Sequence, residues 1–339
     1  MIKNKWTGEE FPVNKCNPAQ TRAGEFKSNG SILNPVDYEY HSLIEKILEE
    51  GLWKENRTGT KTLSIFGPQV TFKHIGTDFP LLTTKNIHLK SIIGELLWFL
   101  SGSTNKHVLK EKYGVSIWDE WGDDETGELG PVYGHQWVNW EYFGIEGLAH
   151  YGIDANKVRE PLCDGLLYGQ RHIKKSINQI QNLIDTLRNN PDDRRMIVSA
   201  WHVDQIPLMA LPPCHWSFQC DTRKYPNNDR RTLNLKMNIR SWDIFLGGPF
   251  NIASYAILLL MLAHEVGMNP GDLTISAGDV HIYENHLEYI YKQLNRNSKF
   301  RPPLMNVNPY KKFWDYEPDD FTLDNYDPHP NWKNVPVAI

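Results

Sequence analysis

The sequence predicts an α+β fold built as a single domain, and three patterns support that prediction. Residues 231–243 alternate apolar and polar side chains with the two-residue period of a half-buried strand. Residues 251–267 are apolar on nearly every side, which is typical of a helix inside a core. Helices and strands follow one another without a regular β-α-β order, which favours the α+β class.

The remaining elements can be predicted in chain order. Residues 1–36 are polar and have no period, so we expect an extended N-terminal arm ahead of a catalytic domain at 37–339. Apolar side chains at helical spacing predict helices at 37–51 and 91–102. The run 194–203 is rich in strand-forming residues and predicts a second strand.

One long stretch of the predicted domain has no pattern of its own. Residues 141–172 show neither a helical nor a strand period, and we expect them to form an irregular surface insertion.

Composition limits the classes of function. The 339 residues carry a net charge of −5 and a pI near 6.2, so a nucleic-acid partner is not expected, and an anionic ligand would need local arginines. Four scattered cysteines without a CxxC pair indicate neither a disulfide framework nor a metal site. The chain shows no secretory signal, and its longest apolar run, 256–263, is far shorter than the ~20 residues of a membrane span. We therefore expect a soluble, cytoplasmic protein.

The stretch LPPCHWSF, residues 211–218, is the first candidate for chemistry. Cys214 and His215 follow two prolines, which fix two φ angles near −65° and remove two amide donors. This stiff approach suits a nucleophile, but a free cysteine is also commonly a small buried residue. The stretch alone leaves both interpretations open.

Arginines form the second pattern. Arg194 and Arg195 are adjacent at the start of a predicted strand, Arg240 lies on the polar face of another, and Arg57 sits in a loop of small residues. The planar guanidinium binds phosphate oxygens in pairs and keeps its charge at any working pH. Surface arginines paired with carboxylates are the alternative interpretation.

Three further stretches carry polar or aromatic groups. Asn251 follows the turn GGPF, and its amide either caps the next helix or matches the imide edge of uracil. His281 and Tyr283 share one face of a predicted strand, as ligand contacts or as satisfied core residues. The run 115–137 is dense in aromatic residues, which suits a core or a stacking wall.

Together these stretches resemble the thymidylate synthase family over roughly residues 37–339. The matching segments are RTGT (57–60), FPLLTTK (79–85), SIIGELLWFLSGSTN (91–105), IWDEW (117–121), LGPVYGHQW (129–137), DDRRMIVSAW (192–201), MALPPCH (209–215), RSWDIFLGGPFNIASY (240–255), GDVHIYENH (278–286) and PVAI (336–339). The resemblance implies a large mixed sheet packed against helices, with the sheet forming the interface of a homodimer.

The resemblance also implies a reaction. We expect reductive methylation of dUMP to dTMP, with methylenetetrahydrofolate as co-substrate, no metal, and a covalent adduct between Cys214 and pyrimidine C6. The alternative is a dUMP hydroxymethylase, in which water adds to the exocyclic methylene that a synthase reduces. Asn251 argues against the cytosine-specific version of that enzyme, and the intact WDEW and PVAI segments favour the synthase.

Individual roles carry over by position. The catalytic residues that the resemblance implies are Cys214, Glu95, Tyr133, Arg240, Asp243 and His215. The implied dUMP contacts are Arg57, Arg194, Arg195, Arg240, Ser241, Asn251, His281 and Tyr283. The implied folate contacts are Lys85, Trp118, Trp121, Asp243, Gly247 and Ile339.

Some of these roles involve another subunit or a moving segment. Arg194 and Arg195 are expected to reach the partner's site, and Glu95 to manage proton traffic around the pyrimidine carbonyl and the folate. Tyr133 is expected to assist removal of the C5 proton through water. The tail that ends in Ile339 is expected to fold over the folate and exclude water, although a disordered terminus is the ordinary expectation.

Several positions depart from the common family pattern. Trp242 replaces a cysteine and Gly248 a bulkier residue, which indicates either a volume exchange or altered chemistry. Asn86 stands where an arginine usually contacts folate, and Gly94 replaces a larger residue. An RNA-binding protein on the same fold is the alternative of a different class, and the net charge disfavours it.

Overall fold

The structure is a computed structural model that describes residues 1–12, 16–22, 25–28, 31–146, 171–298 and 301–337. The first elements are β1 (Ile2–Lys3), β2 (Glu10–Phe11), β3 (Cys16–Arg22), β4 (Glu25–Ser28), β5 (Ser31–Leu33), α1 (Pro35–Glu50), β6 (Leu52–Lys54), β7 (Thr62–Phe66), β8 (Gln69–Phe72), α2 (Leu89–Leu100), α3 (Lys106–Tyr113), α4 (Tyr133–Val138) and β9 (Trp140–Glu146). They are followed by β10 (Arg171–Ile177), α5 (Gln179–Asn189), β11 (Ile197–Ser199), β12 (His215–Arg223), β13 (Thr232–Asp243), α6 (Gly247–Glu265), β14 (Asn269–Tyr283), α7 (Leu287–Leu294), β15 (Leu304–Val307) and β16 (Phe321–Asp324).

A seven-stranded mixed sheet organises these elements. Its strands run in the order β11-β12-β13-β14-β7-β6, and β8 also pairs with β14. The β13–β14 pair is parallel and the other pairs are antiparallel. A mixed sheet covered by helices confirms the predicted α+β class and the prediction of a large mixed sheet.

The centre of the sheet has the predicted face pattern. On β13, Leu233, Leu235, Met237 and Ile239 are all buried, and α6 packs across β13 and β14. A Cβ atom on Gly278 of β14 would lie 2.6 Å from the carbonyl oxygen of Arg240, so this close parallel approach requires glycine. The sheet therefore places the end of β13 tightly against β14.

Helix α6 is the hydrophobic centre of the molecule. Among the described residues it alone is long and apolar enough to cross a membrane, but 78% of its apolar window is buried inside the protein. Burial of that extent is typical of a core helix, so the helix does not indicate a membrane protein. The helices predicted at 37–51, 91–102 and 251–267 are confirmed as α1, α2 and α6.

Two expectations about local structure were wrong. The strand predicted at 194–203 is confined to Ile197–Ser199, and a 3₁₀ turn follows at Val203–Leu208. The described ends of the 141–172 region are not irregular, because β9 and β10 pair in an antiparallel ladder. Residues 147–170 of that region lie outside the described residues.

The N-terminal arm contributes to the core. Strands β1 and β2 pair, and the side chains of Ile2 and Phe11 are buried in the main hydrophobic cluster. The Asn4 amide donates to the carbonyls of Leu48 and Gly51 at 3.1 and 2.8 Å, which ties the arm to the end of α1. The first residues of the arm are therefore packed against the domain.

Candidate active site

Cys214 is held at the start of β12 by two neighbouring chain segments. Its backbone N–H donates to the Tyr133 hydroxyl oxygen at 2.7 Å, and its carbonyl accepts from the Arg240 backbone N–H at 2.8 Å. The side chain is half-buried. Of the two interpretations of this cysteine, the structure supports a positioned, reachable thiol.

The two prolines act through their carbonyl groups. Arg240 Nε donates to the Pro213 carbonyl at 2.9 Å, and Nη2 donates to the Pro212 carbonyl at 2.8 Å. The fixed φ of proline restricts the directions of these carbonyls. They aim the guanidinium at the thiol, with Nη2 3.9 Å from Cys214 Sγ.

The electrostatic environment of the thiol balances burial against positive charge. Burial raises the pKa of Cys214, while the charge of Arg240, a hydrogen bond from Tyr133 and the charge of Arg57 oppose that rise. The net direction is upward, so the thiol is protonated in the ligand-free protein at neutral pH. The arginine field predicted from the sequence is present but does not by itself produce a thiolate.

Tyr133 is the first residue of α4 and packs among aromatic rings. Its ring stacks on His215 with centroids 4.1 Å apart, and a Cβ on Gly134 would lie 2.1 Å from the Phe99 carbonyl oxygen. Only glycine therefore allows α4 to approach α2 closely enough to place Tyr133. Its hydroxyl oxygen accepts from the Cys214 N–H, and its own hydrogen is directed to the Cys214 side chain.

His215 is neutral in this environment. Burial lowers the pKa of His215 to about 3, and its Nδ1 lies 2.9 Å from the Tyr255 hydroxyl. A histidine with this pKa carries no proton to exchange near pH 7. Its contacts therefore indicate that it positions Tyr133, which it stacks against.

Glu95 of α2 carries the titrating carboxyl group of the site. Burial raises its pKa to about 7, and the Trp118 indole N–H, which donates to Oε1 at 2.7 Å, partly opposes that rise. A carboxyl poised near neutral pH can both accept and return a proton. This agrees with the proton-handling role expected for Glu95.

A buried lysine fixes the loop that carries the two tryptophans. Lys106 Nζ donates to the carbonyls of Asp119 and Trp121 at 3.1 and 2.9 Å and to the Asp124 carboxylate at 2.7 Å. Trp118 and Trp121 meet edge to face at 5.9 Å between ring centroids. The loop therefore presents a rigid aromatic wall beside Glu95.

The four arginines of the predicted phosphate clamp fall into two groups. Arg57 and Arg240 both act electrostatically on Cys214. Arg195 is exposed and grips both carboxylate oxygens of Asp193, at 2.9 and 2.6 Å, and the exposed Arg194 contributes its carbonyl to the Gln219 amide. Within the described residues, no hydrogen bond or ion pair joins this pair to the thiol.

Asn251 lies in the second turn of α6, since the helix begins at Gly247. It therefore does not occupy the N-cap position, and the capping interpretation was wrong. Its Oδ1 lies 3.7 Å from where a Cβ of Gly247 would stand, so Gly247 leaves room beside the amide. Ser241, half-buried on β13, pairs in register with Asp279 of β14.

His281 and Tyr283 share one face of β14, as predicted, and their rings meet edge to face at 5.2 Å. His281 Nδ1 lies 2.8 Å from the Asp279 carboxylate, which also accepts from Lys54 Nζ at 2.5 Å. His281 and Lys54 hold the pKa of Asp279 below its usual range despite burial, so it is ionised. An ionised carboxylate only accepts, so His281 Nδ1 carries a hydrogen and donates it to Asp279.

The predicted folate residues form a second cluster. Lys85 is buried, donates from Nζ to the Phe245 carbonyl at 2.7 Å, and lies 3.7 Å from the centroid of the Phe245 ring. Burial lowers its pKa to about 8, and the charge of Asp243 opposes the shift. Asp243 Oδ1 accepts the backbone N–H groups of Phe245 and Leu246, and Ile339 lies outside the described residues.

Sequence reasoning missed several residues that shape the site. Asp279 was detectable, because it shares the alternation that groups His281 with Tyr283. Tyr255 was detectable one helical turn after Asn251. Lys106 left no signal in the sequence, because its partners are backbone carbonyls 13 and 15 residues away.

No cluster of three or more histidine, cysteine, aspartate or glutamate side chains within the described part of the chain could hold a metal ion. The site's own groups are a thiol, two arginines, a tyrosine hydroxyl and a carboxyl that titrates near pH 7.

This arrangement is typical of enzymes that use covalent nucleophilic catalysis. Comparison with protein families gives the particular class: the sequence model described as thymidylate synthase matches residues 38–339. The match spans most of the chain, so the protein belongs to the thymidylate synthase family, as its motifs predicted. That is a family of one-carbon transferases that act on dUMP and use methylenetetrahydrofolate as co-substrate.

Proposed function

We propose that the protein catalyses the reductive methylation of dUMP to dTMP, a step of nucleotide biosynthesis, with methylenetetrahydrofolate as carbon and hydride donor. The observation that carries the proposal is the geometry around Cys214. Its thiol lies 3.9 Å from a guanidinium that is anchored on backbone carbonyls. Its raised pKa requires that the thiolate be formed when the substrate arrives.

In the proposed chemistry the Cys214 thiolate adds to C6 of the pyrimidine and makes C5 nucleophilic. C5 bonds to the one-carbon unit, and the C5 proton then leaves through water held by the Tyr133 hydroxyl. Loss of that proton with expulsion of the folate amine gives an exocyclic methylene. Hydride transfer from the folate and departure of the thiolate yield dTMP and dihydrofolate. Glu95, with its pKa near 7, exchanges the protons that these steps require.

In the proposed complex, two arginines, an amide, a histidine and a tyrosine hold the nucleotide. Arg57 and Arg240 carry the positive charge for the phosphate, with Ser241 beside them on β13. Asn251 reads the donor and acceptor edge of uracil. His281, oriented through Nδ1 by Asp279, and Tyr283 contact the deoxyribose hydroxyl.

The exposed Arg194–Arg195 pair supports a homodimer in which each subunit completes the phosphate site of the other. Mixing Cys214→Ser protein with Arg195→Ala protein tests this. Heterodimers would regain one intact site and up to about a quarter of the wild-type activity of the total mixture. If the mixture is no more active than its components, the proposal of sites shared between subunits is wrong.

The second candidate function is the dUMP hydroxymethylase, and the departures at Trp242 and Gly248 motivate it. Trp242 is buried, and its Nε1 lies 3.6 Å from where a Cβ of Gly248 would stand. A larger residue at 248 would therefore meet the indole. This contact favours a volume exchange over altered chemistry, and it supports the synthase.

Mass spectrometry of the nucleotide product decides between the two functions. With dUMP and methylenetetrahydrofolate, a synthase gives a methyl nucleotide and dihydrofolate. A hydroxymethylase gives a hydroxymethyl nucleotide and tetrahydrofolate. The Cys214→Ser protein is the control, and it should give neither product. Absence of both products with the wild-type chain would overturn the proposed function.

A further inference from the structure

The C-terminal segment is clamped to the body of the protein at an aromatic cluster. The Arg296 guanidinium lies 3.9 Å from the centroid of the Trp332 ring and donates to the Pro330 carbonyl at 3.0 Å. The Trp332 ring also packs against Phe245 and Tyr289, each 5.9 Å away between centroids. The segment that leads to the terminus therefore starts from a fixed place beside the predicted folate residues.

A second contact lies three residues before the end of the chain. His286 Nε2 lies 2.8 Å from the carbonyl oxygen of Pro336, and the side chain of His286 is completely buried. A carbonyl only accepts, so Nε2 is the protonated nitrogen of this ring. Its single hydrogen bond thus connects the buried body of the site to the terminal segment.

The remaining contacts of His286 are with predicted site residues. Its ring lies 5.2 Å from Phe245 and 5.6 Å from Tyr283 between centroids. Its Nδ1 has no hydrogen-bond partner and lies 3.9 Å from Oδ1 of Asp243. Loss of the Pro336 contact would leave both ring nitrogens buried and unpaired, which is costly.

We propose that His286 is a positioning residue that latches the terminal segment at Pro336, next to Asp243, and so controls how folate is retained. This inference deepens the proposed function and rests on it for the folate readout. The latch acts through the tail and does not touch the reacting carbon atoms.

The test compares three full-length variants and one shortened chain with the wild type. His286→Phe keeps an aromatic ring and removes the donor, whereas His286→Gln keeps an amide N–H that can reach the carbonyl. His202→Phe is the matched control, because His202 Nε2 also bonds a backbone carbonyl, that of Glu141, at 2.8 Å, and neither residue lies in the terminal segment. A chain lacking Ile339 is the reference for a damaged tail. His286→Met, which fills irregular space well, replaces the Phe variant if that protein does not fold.

Two readouts are needed, and the first requires no catalysis. Carboxypeptidase release of the terminal residues, followed by mass spectrometry on ligand-free protein, should be at least about fivefold faster in His286→Phe than in the wild type. The KM for methylenetetrahydrofolate should rise about tenfold, the loss expected for one buried hydrogen bond, while the Kd for dUMP stays within about twofold. His286→Gln should recover most of both, and His202→Phe should match the wild type.

The latch is refuted if His286→Phe releases its terminus at the wild-type rate, or if the Gln variant is as impaired as the Phe variant. Failure of the proposed function is a separate outcome. In that case the wild-type protein forms no product from dUMP, while the carboxypeptidase assay still decides whether His286 holds the tail.

Discussion

Two regions of the molecule hold an arginine in opposite ways. In the nucleophile corner, formed by Tyr133, Pro212, Pro213, Cys214 and Arg240, backbone carbonyls hold the guanidinium. In the arginine turn, residues 192–195, the carboxylate of Asp193 holds Arg195, whose side chain is 87% exposed. A carbonyl orients a cation without neutralising it, whereas a carboxylate cancels its charge.

The difference indicates what each region can do alone. Arg240 keeps its positive charge for the thiol and an incoming dianion, and its own chain fixes its position. Arg195 is already paired with an acidic group and must exchange that partner before it can bind a phosphate. The corner is therefore assembled within one chain, while the turn leaves its arginine exposed, as the proposed homodimer requires.

The largest effect is expected from removing the nucleophile. Cys214→Ser should lower turnover by at least about 10⁴-fold, because a serine hydroxyl is a far weaker nucleophile than a thiolate, while the Kd for dUMP changes less than about threefold. Steady-state kinetics and equilibrium binding of dUMP measure the two effects. Cys220→Ala is the control. Cys220 is buried in the core, so its replacement should leave turnover unchanged.

Replacing the arginine of the corner should have the next largest effect. Arg240→Lys loses the fork that binds both proline carbonyls, so the KM for dUMP should rise about 100-fold. The pKa of Cys214 should also rise further, because the anchored Arg240 guanidinium lowers it. Iodoacetamide should therefore modify Cys214 more slowly at pH 8. Peptide mass spectrometry locates the modification. Arg231→Lys, which alters an arginine paired with Asp192, should change neither quantity.

Two carboxyl groups should change the stability with opposite signs as pH varies: Glu95, which acts electrostatically on Tyr133 of the nucleophile corner, and Asp193 of the arginine turn. Glu95 has its pKa raised to about 7, so its burial costs stability as pH rises from about 4.5 through 7. Glu95→Gln should remove that cost, and its free energy of unfolding relative to wild type should increase by about 2 kcal/mol between pH 5 and pH 8. Urea unfolding at both pH values measures the difference. The exposed Glu288→Gln should show no such trend.

Asp193 provides the contrasting case in the arginine turn. Its hydrogen bonds from Arg195 lower its pKa to about 2, so its contribution to stability is present above pH 4 and is lost as pH falls towards 2. At neutral pH, Asp193→Asn should free the guanidinium without removing it. The KM for dUMP should fall or stay within about threefold of wild type, and a rise of tenfold would show that Asp193 positions Arg195 for the phosphate.

The sequence predicted the elements whose signal lies in their own residues. β13 alternates and α6 is apolar on nearly every side because the core buries them. The order of apolar residues in the sequence shows both patterns directly. The strand at 194–203 was predicted too long. Arg195 bonds to Asp193 before the strand begins, and a 3₁₀ turn that contains Pro207 follows it. The strand propensity of residues 194–203 reports neither feature. Local pattern therefore identified elements better than their ends.

The site followed the same rule. The motifs identified Cys214, Glu95 and Arg240, but not how they are held. The proline carbonyls under Arg240 and the indole on Glu95 are contacts between segments 23 to 28 residues apart in sequence. Such contacts depend on the folded chain path, and only the structure shows that His215 supports Tyr133 and that Asn251 does not cap its helix.

The raised pKa of Cys214 has a consequence for the survival of the protein between turnovers. Peroxide and electrophiles attack thiolates much faster than thiols. A thiol that stays protonated until the nucleotide binds reacts slowly with peroxide and electrophiles while the site is empty. Oxidative damage at this sulfur should therefore be slow in the ligand-free protein, where the thiol is protonated.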